Sequence, residues 1–439
     1  MERFKEIKLE ANKLRKEGKY EQALALYKEC WEAFKDECNE WESWGYAYCL
    51  QKLKRYTEAL ELCRESYKKN SNFLPNKNLY AWSIYYTEIK KEKIVDKSLL
   101  EKAANGILTL STQEDKYSPY VATVFKVLNS YKEPFSATKI IEWCGKLNPE
   151  ILNEETFSFE NEKGKEMELA SKREDYYSLL TQALYETGKY AECVELCNKG
   201  LNQITKFHYS NDIWFKRKIA LCYQKLGDHE LSLSILLDVL KRKKEWFVEK
   251  EIAEVYLSMG DVPKATQYAV DAALSPGDFD KKVNLFNLIG EILISLSKKA
   301  EALDHFILIY AIKKEFEQRI TSTLENRIKE LGGDTTTLPQ SRQQFNKCKN
   351  TWSLLKFGDQ KELKGKIDKM LPNGKSGFVK SETDGQTYFF GIHQFKGKKE
   401  LIKPGQEVKY FLEDSFDKTK NKPSKIAINI IPIFARNQK

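Results

Sequence analysis

The side chains that most often perform chemistry are few and scattered in this sequence. Its four histidines are His208, His229, His305 and His393, and none of their spacings suits a metal site. Cys193 and Cys197 lie one helical turn apart, which fits either half of a metal site or two buried thiols in a helix interface. Gly374-Lys375-Ser376 ends like a phosphate-binding loop, but Lys369 occupies the position where that loop requires glycine. We therefore expect a protein that is not an enzyme and that uses no cofactor or metal.

The positive charge of the chain is concentrated at one end. The 439 residues carry a formal net charge of +9. Residues 360–439 contain 17 Lys or Arg against 9 Asp or Glu, whereas the preceding 359 residues contain 56 against 55. Contact with a polyanion is therefore expected in the last eighty residues or so, which are net positive.

The remaining composition predicts a cytoplasmic protein. The nine cysteines include no CxxC pair, which favours reduced thiols in a long chain without a secretory signal. The first ten residues are charged throughout, so no signal peptide is expected there. No run of apolar residues is long enough to cross a membrane.

A short turn pattern recurs through the first three quarters of the chain. It consists of a glycine or polar residue, an aromatic or apolar residue, and a small residue that opens a second helix. It occurs at residues 18–23, 54–59, 188–193, 227–232 and 260–265. Glycine allows the left-handed conformation that ends a helix, and the small residue allows two helices to approach closely. The pattern predicts a series of helix–turn–helix units.

These units resemble the tetratricopeptide repeat. The segment Trp41-x-x-Trp44-Gly45-x-x-Tyr48 matches the first-helix pattern of that family. We expect six to eight degenerate units in a solenoid over residues 1–331, interrupted near 151–172. The resemblance implies a groove that holds a protein partner.

A change of pattern marks the end of the repeats. Leu331-Gly332-Gly333 stops the last helix, and Pro339 prevents its continuation. Residues 332–360 are predicted to be a connector whose apolar group docks on a neighbouring domain; this group comprises Trp352, Leu354, Leu355 and Phe357.

From residue 361 the hydrophobic period becomes two, which is the period of β-strands. Five short strands separated by turn residues predict a small barrel over 361–439. The expected strands are Lys364–Met370, Gly377–Lys380, Gln386–Ile392, Glu407–Leu412 and Ser424–Ile430. The predicted fold class is therefore multidomain, with an all-α solenoid followed by a small all-β barrel.

The barrel sequence resembles a cold-shock domain, which is an OB-fold that binds single strands. Gly365-Lys366-Ile367-Asp368 matches the opening strand of that family, Gly374–Val379 its first nucleic-acid motif and Tyr388–Ile392 its second. Three departures reduce the number of expected stacking groups. Ser376 replaces the first ring, Gly391 replaces the usual histidine, and Met370-Leu371 replace an aromatic pair.

The resemblance implies a set of nucleic-acid-binding residues. Phe378 and Phe389 occupy stacking positions, with Phe390 in the core because it alternates with Phe389. His393 either compensates for the missing histidine or is a surface turn residue. The lysines that would contact phosphates lie on or beside the first two strands; they are Lys366, Lys369, Lys375 and Lys380.

The sequence thus predicts an adaptor with two binding modules. Its solenoid would bind a protein partner, and its barrel would bind single-stranded nucleic acid, RNA rather than DNA, with lower affinity than a complete cold-shock domain. The alternative is a protein-only scaffold in which the barrel is a second protein-docking surface.

Overall fold

The computed structural model describes residues 2–90, 96–162, 164–358, 360–397, 399–417 and 421–433. The chain divides into two compact units, Met1–Ile235 and Leu236–Lys439. The first unit is helical apart from one small hairpin, and the second combines helices with a β-barrel.

The described residues contain eighteen α-helices. In chain order they are α1 (Glu2–Lys16), α2 (Tyr20–Ala33), α3 (Glu40–Lys52), α4 (Tyr56–Lys69), α5 (Leu74–Ile84), α6 (Lys97–Leu110), α7 (Tyr120–Ser130), α8 (Ala137–Cys144), α9 (Lys172–Glu186), α10 (Tyr190–Gln203), α11 (Asn211–Leu226), α12 (His229–Arg242), α13 (Trp246–Ser258), α14 (Val262–Leu274), α15 (Val283–Ser295), α16 (Lys299–Glu315), α17 (Ser322–Glu330) and α18 (Ser341–Phe357).

The helices pack in the order in which they occur along the chain. Within the first unit, α1 contacts α2, α3 contacts α4, and the leading helices α1 and α3 also touch each other. Helices α2 and α3 also contact each other, and Gly45 of α3 permits their close packing, because a Cβ atom there would lie 2.5 Å from the hydroxyl oxygen of Tyr27, a buried residue of α2. The same pattern of neighbours continues in the second unit, where α13 contacts α14 and α15. The predicted helical-repeat solenoid is confirmed.

The repeat turns share one backbone conformation. Four predicted turn glycines adopt positive φ angles between 75° and 89°; they are Gly18, Gly188, Gly227 and Gly260. Lys54 adopts φ 61° at the matching position of the second repeat turn, between α3 and α4. Ser297 adopts φ 59° directly before Lys298 and α16, which identifies a further turn of the same kind that lacks glycine.

A β-hairpin lies where the sequence predicts an interruption near 151–172. Its strands are β1 (Ser158–Glu160) and β2 (Glu166–Glu168), which pair antiparallel. A single 3-10 turn, Pro149–Ile151, precedes the hairpin, and Asn148 caps this turn by accepting a hydrogen bond from the backbone N–H of Glu150. The polar segment therefore forms local structure of its own between α8 and α9.

The last five strands form a closed barrel. They are β3 (Leu363–Met370), β4 (Ser376–Ser381), β5 (Thr387–Gly391), β6 (Glu407–Asp417) and β7 (Lys422–Pro432), in the spatial order β3-β4-β5-β7-β6. All neighbouring pairs are antiparallel except β5 and β7, which are parallel. The core consists of alternate inward side chains, including Ile367, Val379, Phe390, Val408 and Ile430. The predicted barrel that follows the helices is confirmed.

Helix α18 occupies most of the segment predicted to be a connector. Trp352 is fully buried against Phe286 and Phe345 of the second unit. Phe357, at the end of the same helix, stacks on Phe411 of β6 with ring centroids 4.6 Å apart and an interplanar angle of 8°. The expected docking therefore involves these two rings, whereas Leu355 is half-buried and Leu354 is exposed to solvent.

Candidate nucleic-acid interface

Two aromatic rings lie side by side on the outer surface of the barrel. Phe378 of β4 and Phe389 of β5 are direct cross-strand partners, and their ring centroids are 5.8 Å apart in an edge-to-face arrangement. Phe389 is 40% exposed, whereas Phe390 is fully buried in the barrel core. The strand alternation therefore turns Phe389 outward and Phe390 inward, as predicted.

A lysine extends this ring pair across a third strand. The register of β3 shifts between Ile367 and Lys369, which is the mark of a β-bulge. The bulge places Lys369 opposite Phe378 on the outer face, and its Nζ lies 5.5 Å from the centroid of that ring. At this distance the ammonium is attracted by the ring electrons. A cation, two rings and Ile426 of β7 thus form one cross-strand row.

A second row of side chains runs parallel to the first. Lys366 of β3 faces Lys380 of β4, and Lys380 faces Thr387 of β5. Lys366 forms an ion pair of 3.2 Å with Glu407 of β6, so its charge is partly compensated. Lys380 forms no ion pair with the residues that the structure describes. The two rows together bring Lys366, Lys369, Lys380, Phe378 and Phe389 onto one outer face.

The turn between β3 and β4 adds Lys375 beside this face. Its backbone N–H donates a 2.9 Å hydrogen bond to Oδ1 of Asn373, which holds the turn, and its side chain is exposed. The next residue, Ser376, is buried, and its hydroxyl group donates a 3.1 Å hydrogen bond to the same Oδ1. Ser376 therefore presents no stacking group at the position where the resembling family has a ring.

His393 lies against the glycine that replaces the family histidine. A Cβ atom at Gly391 would lie only 2.5 Å from Cε1 of His393, so the imidazole fills the space that a side chain at 391 would occupy. His393 itself is exposed, on a 3-10 turn directly after β5. Both sequence interpretations of His393 therefore remain open, because the residue is an exposed turn residue whose ring also lies at the position of the missing histidine.

The turn between β4 and β5 is held by a strong hydrogen bond. The Tyr388 hydroxyl donates to Oδ2 of Asp384 at 2.5 Å. This bond raises the pKa of Tyr388 to about 12 and lowers the pKa of Asp384 below its ordinary value. The turn that positions Phe389 therefore keeps its hydrogen bond throughout the neutral pH range.

Sequence reasoning missed two members of the outer surface. Ile426 completes the aromatic row, but it was assigned only as part of the last strand. Phe416 is exposed in β6, because that strand continues to Asp417 instead of ending at Leu412. The polar run Glu413-Asp414-Ser415 predicts the end of a strand, but these three residues pair with Ser424–Ile426 of β7 and so continue β6.

The first unit has an aromatic surface on its leading helices. Trp41 of α3 is exposed and packs edge-to-face with Phe73 at 4.9 Å and with Trp44 at 5.9 Å. The Arg15 guanidinium of α1 lies 4.9 Å from the Trp44 ring and 5.7 Å from the ring of Tyr48. This surface combines apolar area with a cation, which suits a peptide or protein partner.

Comparisons with known proteins identify the repeat type in part of the chain. The family model described as tetratricopeptide repeat matches residues 14–70, which include α2, α3 and α4. The predicted tetratricopeptide repeats are confirmed in that segment, and this repeat architecture is one that binds protein partners. No curated protein matches the chain.

Several solved structures are similar to this chain at low identity. A tetratricopeptide repeat protein from Parabacteroides merdae is 13% identical, with 76% of this chain and 100% of that chain covered and a TM-score of 0.33. The human IFIT1 dimer with PPP-AAAA is 14% identical, with 73% and 71% covered and a TM-score of 0.35. MamA from Desulfovibrio magneticus is 13% identical, with 44% and 96% covered and a TM-score of 0.31. These scores are too low for the likeness to support an argument about function.

Among the described residues, no helix has the length and apolar character needed to cross a membrane. Within the same ranges, no group of three or more His, Cys, Asp or Glu side chains is arranged to hold a metal ion. Cys193 and Cys197 are both fully buried, which favours the interpretation as packed thiols.

Proposed function

We propose that this chain is a non-enzymatic cytoplasmic adaptor that binds single-stranded nucleic acid, RNA in preference to DNA, on the outer face of β3, β4 and β5. Its helical repeats bind a protein partner. The observation that carries the nucleic-acid proposal is the row in which Lys369, Phe378 and Phe389 lie opposite one another on three adjacent strands.

The chemistry of this row suits an unpaired strand. Each exposed ring can stack on a base, and stacking contributes about 1–3 kcal/mol per base without regard to sequence. The lysines beside the rings can neutralise phosphates, which releases counterions and makes binding dependent on salt. The rings alone would suit many apolar ligands, so the combination with cations favours nucleic acid.

The strand order supports an OB-fold assignment for the barrel. The order β3-β4-β5-β7-β6, with its single parallel pair, is the order expected for the five-stranded barrel that binds oligonucleotides across its second and third strands. Here the second and third strands are β4 and β5, which carry Phe378 and Phe389. The proposed face therefore coincides with the face that this fold uses.

The adaptor proposal also includes the helical repeats. The Trp41 surface on α1 and α3 supplies apolar area and the Arg15 cation for a protein ligand. All nine cysteines are free thiols, which fits a reducing compartment such as the cytoplasm.

Fluorescence anisotropy of the full chain with labelled single strands tests the nucleic-acid proposal. RNA and DNA strands of about 20 nucleotides should bind at low salt. The logarithm of the binding constant should fall linearly with the logarithm of the salt concentration. RNA should bind more tightly than DNA of the same sequence. Absence of salt-dependent binding at tens of micromolar protein would refute the proposal. A nuclease-resistant partner whose capture requires Phe378 and Phe389 would instead favour the protein-only scaffold.

A further inference from the structure

Strand β6 is covered by β3 along only part of one edge. β3 pairs with β6 from Glu407 to Tyr410, whereas β6 continues to Asp417 alongside its other neighbour, β7. Among the strands that the structure describes, residues 411–417 of β6 therefore have a partner on one side only. A strand edge of this kind presents backbone N–H and C=O groups with which a further strand can pair.

The hydrogen bonds at the start of β6 show which residues present these groups. The backbone N–H of Ile367 in β3 donates to the carbonyl oxygen of Gln406 at 2.9 Å, so Gln406 faces β3. The backbone N–H of Ile433, after β7, donates to the carbonyl oxygen of Glu407 at 2.8 Å, so Glu407 faces β7. Because successive residues of a strand direct their backbone groups to opposite neighbours, the even-numbered residues face the β3 side. Those beyond the end of β3 are Leu412, Asp414 and Phe416.

The pairing with β7 agrees with this direction. The register shift between Lys409 and Phe411 adds its extra residue to β7, so it leaves the alternation of β6 intact. Pro423 lies opposite Phe416 and has no N–H to donate, as expected if Phe416 faces away from β7. Within the described ranges, no backbone hydrogen bond from outside the barrel strands reaches Leu412, Asp414 or Phe416.

A cleft of about 890 Å³ lies beside this edge, between β6, helix α14 and the end of α18. Its volume falls within the range of roughly 300–1,000 Å³ that is usual for ligand pockets. The apolar residues that line it are Pro263, Val270, Leu355, Leu363 and Leu412. The charged ones are Lys356, Lys361 and Lys425 against Asp271, Glu413 and Asp414. Since these charges balance, the cleft favours an uncharged ligand.

We propose that an extended segment of a protein partner adds to β6 as a further strand. Its backbone would pair with Leu412, Asp414 and Phe416, and its alternate side chains, uncharged and aliphatic, would enter the cleft. In this mode of recognition the backbone hydrogen bonds supply affinity, and the pockets for alternate side chains supply specificity. The site is separate from the proposed RNA contact, because Phe378 and Phe389 lie on β4 and β5.

Binding of defined peptides to the full chain tests the proposal. The probes are fluorescein-labelled heptapeptide amides of the pattern Ser-X-Thr-X-Ser-X-Thr, in which X is valine or leucine. At least one of them should bind with a Kd below about 1 mM, as expected for a contact with few backbone bonds. Peptides in which X is glutamate or lysine should bind at least about 10-fold more weakly, because a charge would be buried in an apolar lining. Absence of binding by both aliphatic peptides would overturn the proposal.

Methylation of single backbone nitrogens in the bound peptide identifies the pairing itself. A methyl group on an amide that faces β6 removes a donor, whereas a methyl group on the next amide points away from β6. The loss of affinity should therefore alternate along the peptide, with an increase in Kd of about 10-fold or more at every second position. A uniform loss, or no loss at any position, would overturn the proposal.

A substitution in β6 tests the same contact from the side of the protein. Asp414→Pro removes one outward N–H at a position where a strand tolerates proline, because this N–H does not pair with β7. It should weaken peptide binding by about 10-fold or more. Asp414→Ala is the matched control, since it also removes the 3.8 Å ion pair with Lys425 but keeps the N–H. Near-ultraviolet circular dichroism checks that both variants are folded, and equal peptide binding by the two would overturn the proposal.

A second copy of the chain is the other ligand that a strand edge can take. Sedimentation velocity distinguishes it from a peptide. Self-association of the wild type that is abolished by Asp414→Pro and kept by Asp414→Ala would assign the edge to a second copy and overturn the proposal. RNA binding is measured on the same two variants and should equal that of the wild type. A wild type that binds peptide but not RNA would refute the proposed function and leave this inference standing.

Discussion

The indole N–H of Trp352 donates a 2.7 Å hydrogen bond to Nε2 of His305, and both side chains are fully buried. Because Nε2 accepts this bond, the ring proton is on Nδ1, which lies 2.7 Å from the carbonyl oxygen of Glu301. Both ring nitrogens are therefore satisfied in the neutral imidazole. A second proton on Nε2 would break the contact with Trp352.

This relationship predicts that stability falls in mild acid. Burial lowers the pKa of His305 from 6.5 to about 4. The unfolded chain therefore binds a proton between these values that the folded chain does not, so stability is lost as the pH falls from about 6.5 to 4, by roughly 3 kcal/mol in all. Urea denaturation at about pH 7.0, 5.5 and 4.5 measures the slope.

The variant His305→Gln removes this titration while its amide oxygen can still accept from Trp352. Its free energy of unfolding should be lower at pH 7 and should depend less on pH than that of the wild type. His393→Gln is the control for the substitution itself, because it makes the same change at an exposed histidine. Equal slopes for wild type and His305→Gln would contradict the assignment.

Removal of a stacking ring should weaken RNA binding by the full chain. Phe389→Ala and Phe378→Ala are each expected to raise the Kd by about 5- to 100-fold, because in the proposed complex each ring stacks on one base. Phe390→Ala would instead damage the core and is not informative. Anisotropy titrations give the Kd, and Phe316→Ala is the control because Phe316 is about as exposed but lies at the end of α16. Unchanged affinity in both barrel variants would exclude this face.

The two lysine environments should respond differently to substitution. Lys380→Gln removes a cation without an ion-pair partner among the described residues, so the slope of log K against log salt should decrease by about 0.7. Lys366→Gln should have a smaller effect, because Lys366 is already paired with Glu407 at 3.2 Å. Titrations at several salt concentrations compare the slopes. Equal effects of the two substitutions would show that the ion pair with Glu407 does not compete with phosphate.

Glycine at the second repeat turn should stabilise the protein. Lys54 adopts φ 61°, a conformation that costs roughly 1 kcal/mol for a residue with a Cβ atom. Lys54→Gly should therefore raise the free energy of unfolding by about 0.5–1 kcal/mol after the entropy of glycine in the unfolded chain is included. Lys52→Gly, two residues earlier in α3, should instead lower it by about 1 kcal/mol. Thermal unfolding of the two variants provides the comparison, and the same sign for both would contradict this explanation.

The contact between Gly45 and Tyr27 predicts a destabilising methyl group. A Cβ atom at position 45 would overlap the Tyr27 ring, whose hydroxyl donates a 2.9 Å hydrogen bond to Oδ1 of Asn12. Gly45→Ala should cost about 1–3 kcal/mol, as expected for overpacking in a helix interface. Gly106→Ala is the control, because a Cβ there meets no atom within 4 Å, and it should stabilise α6 slightly. Chemical denaturation measures both, and a stable Gly45→Ala variant would show that Tyr27 can move.

The fold could be predicted because local signals agreed with it. Turn residues every few dozen positions marked the repeats, and the change of hydrophobic period marked the barrel. The turn at Ser297 was missed because neither glycine nor an aromatic residue is present there, and the conformation depends on the packing of α15 and α16. Similarly, the predicted end of β6 at Leu412 is too early. The polar residues Glu413, Asp414 and Ser415 continue β6, because they pair with β7.

The candidate site was predictable residue by residue but not as a geometry. Alternation alone separated Phe389 from Phe390. The position of Lys369 could not be predicted, because it depends on a bulge that inverts the facing of the strand after Ile367. The contact of His393 with Gly391 depends on a 3-10 turn, for which the sequence offered only the absence of a side chain at 391.

Helix α18 determines how this chain can be cut into pieces. A fragment that begins at residue 361 would contain all five strands of the barrel but would leave Phe411 without the ring of Phe357. A fragment that ends at residue 331 would leave His305 without its hydrogen-bond donor and Phe286 without its stacked indole. The change from helix to strand is therefore a poor place to separate the chain, and a fragment that begins at Leu236 keeps both contacts of α18.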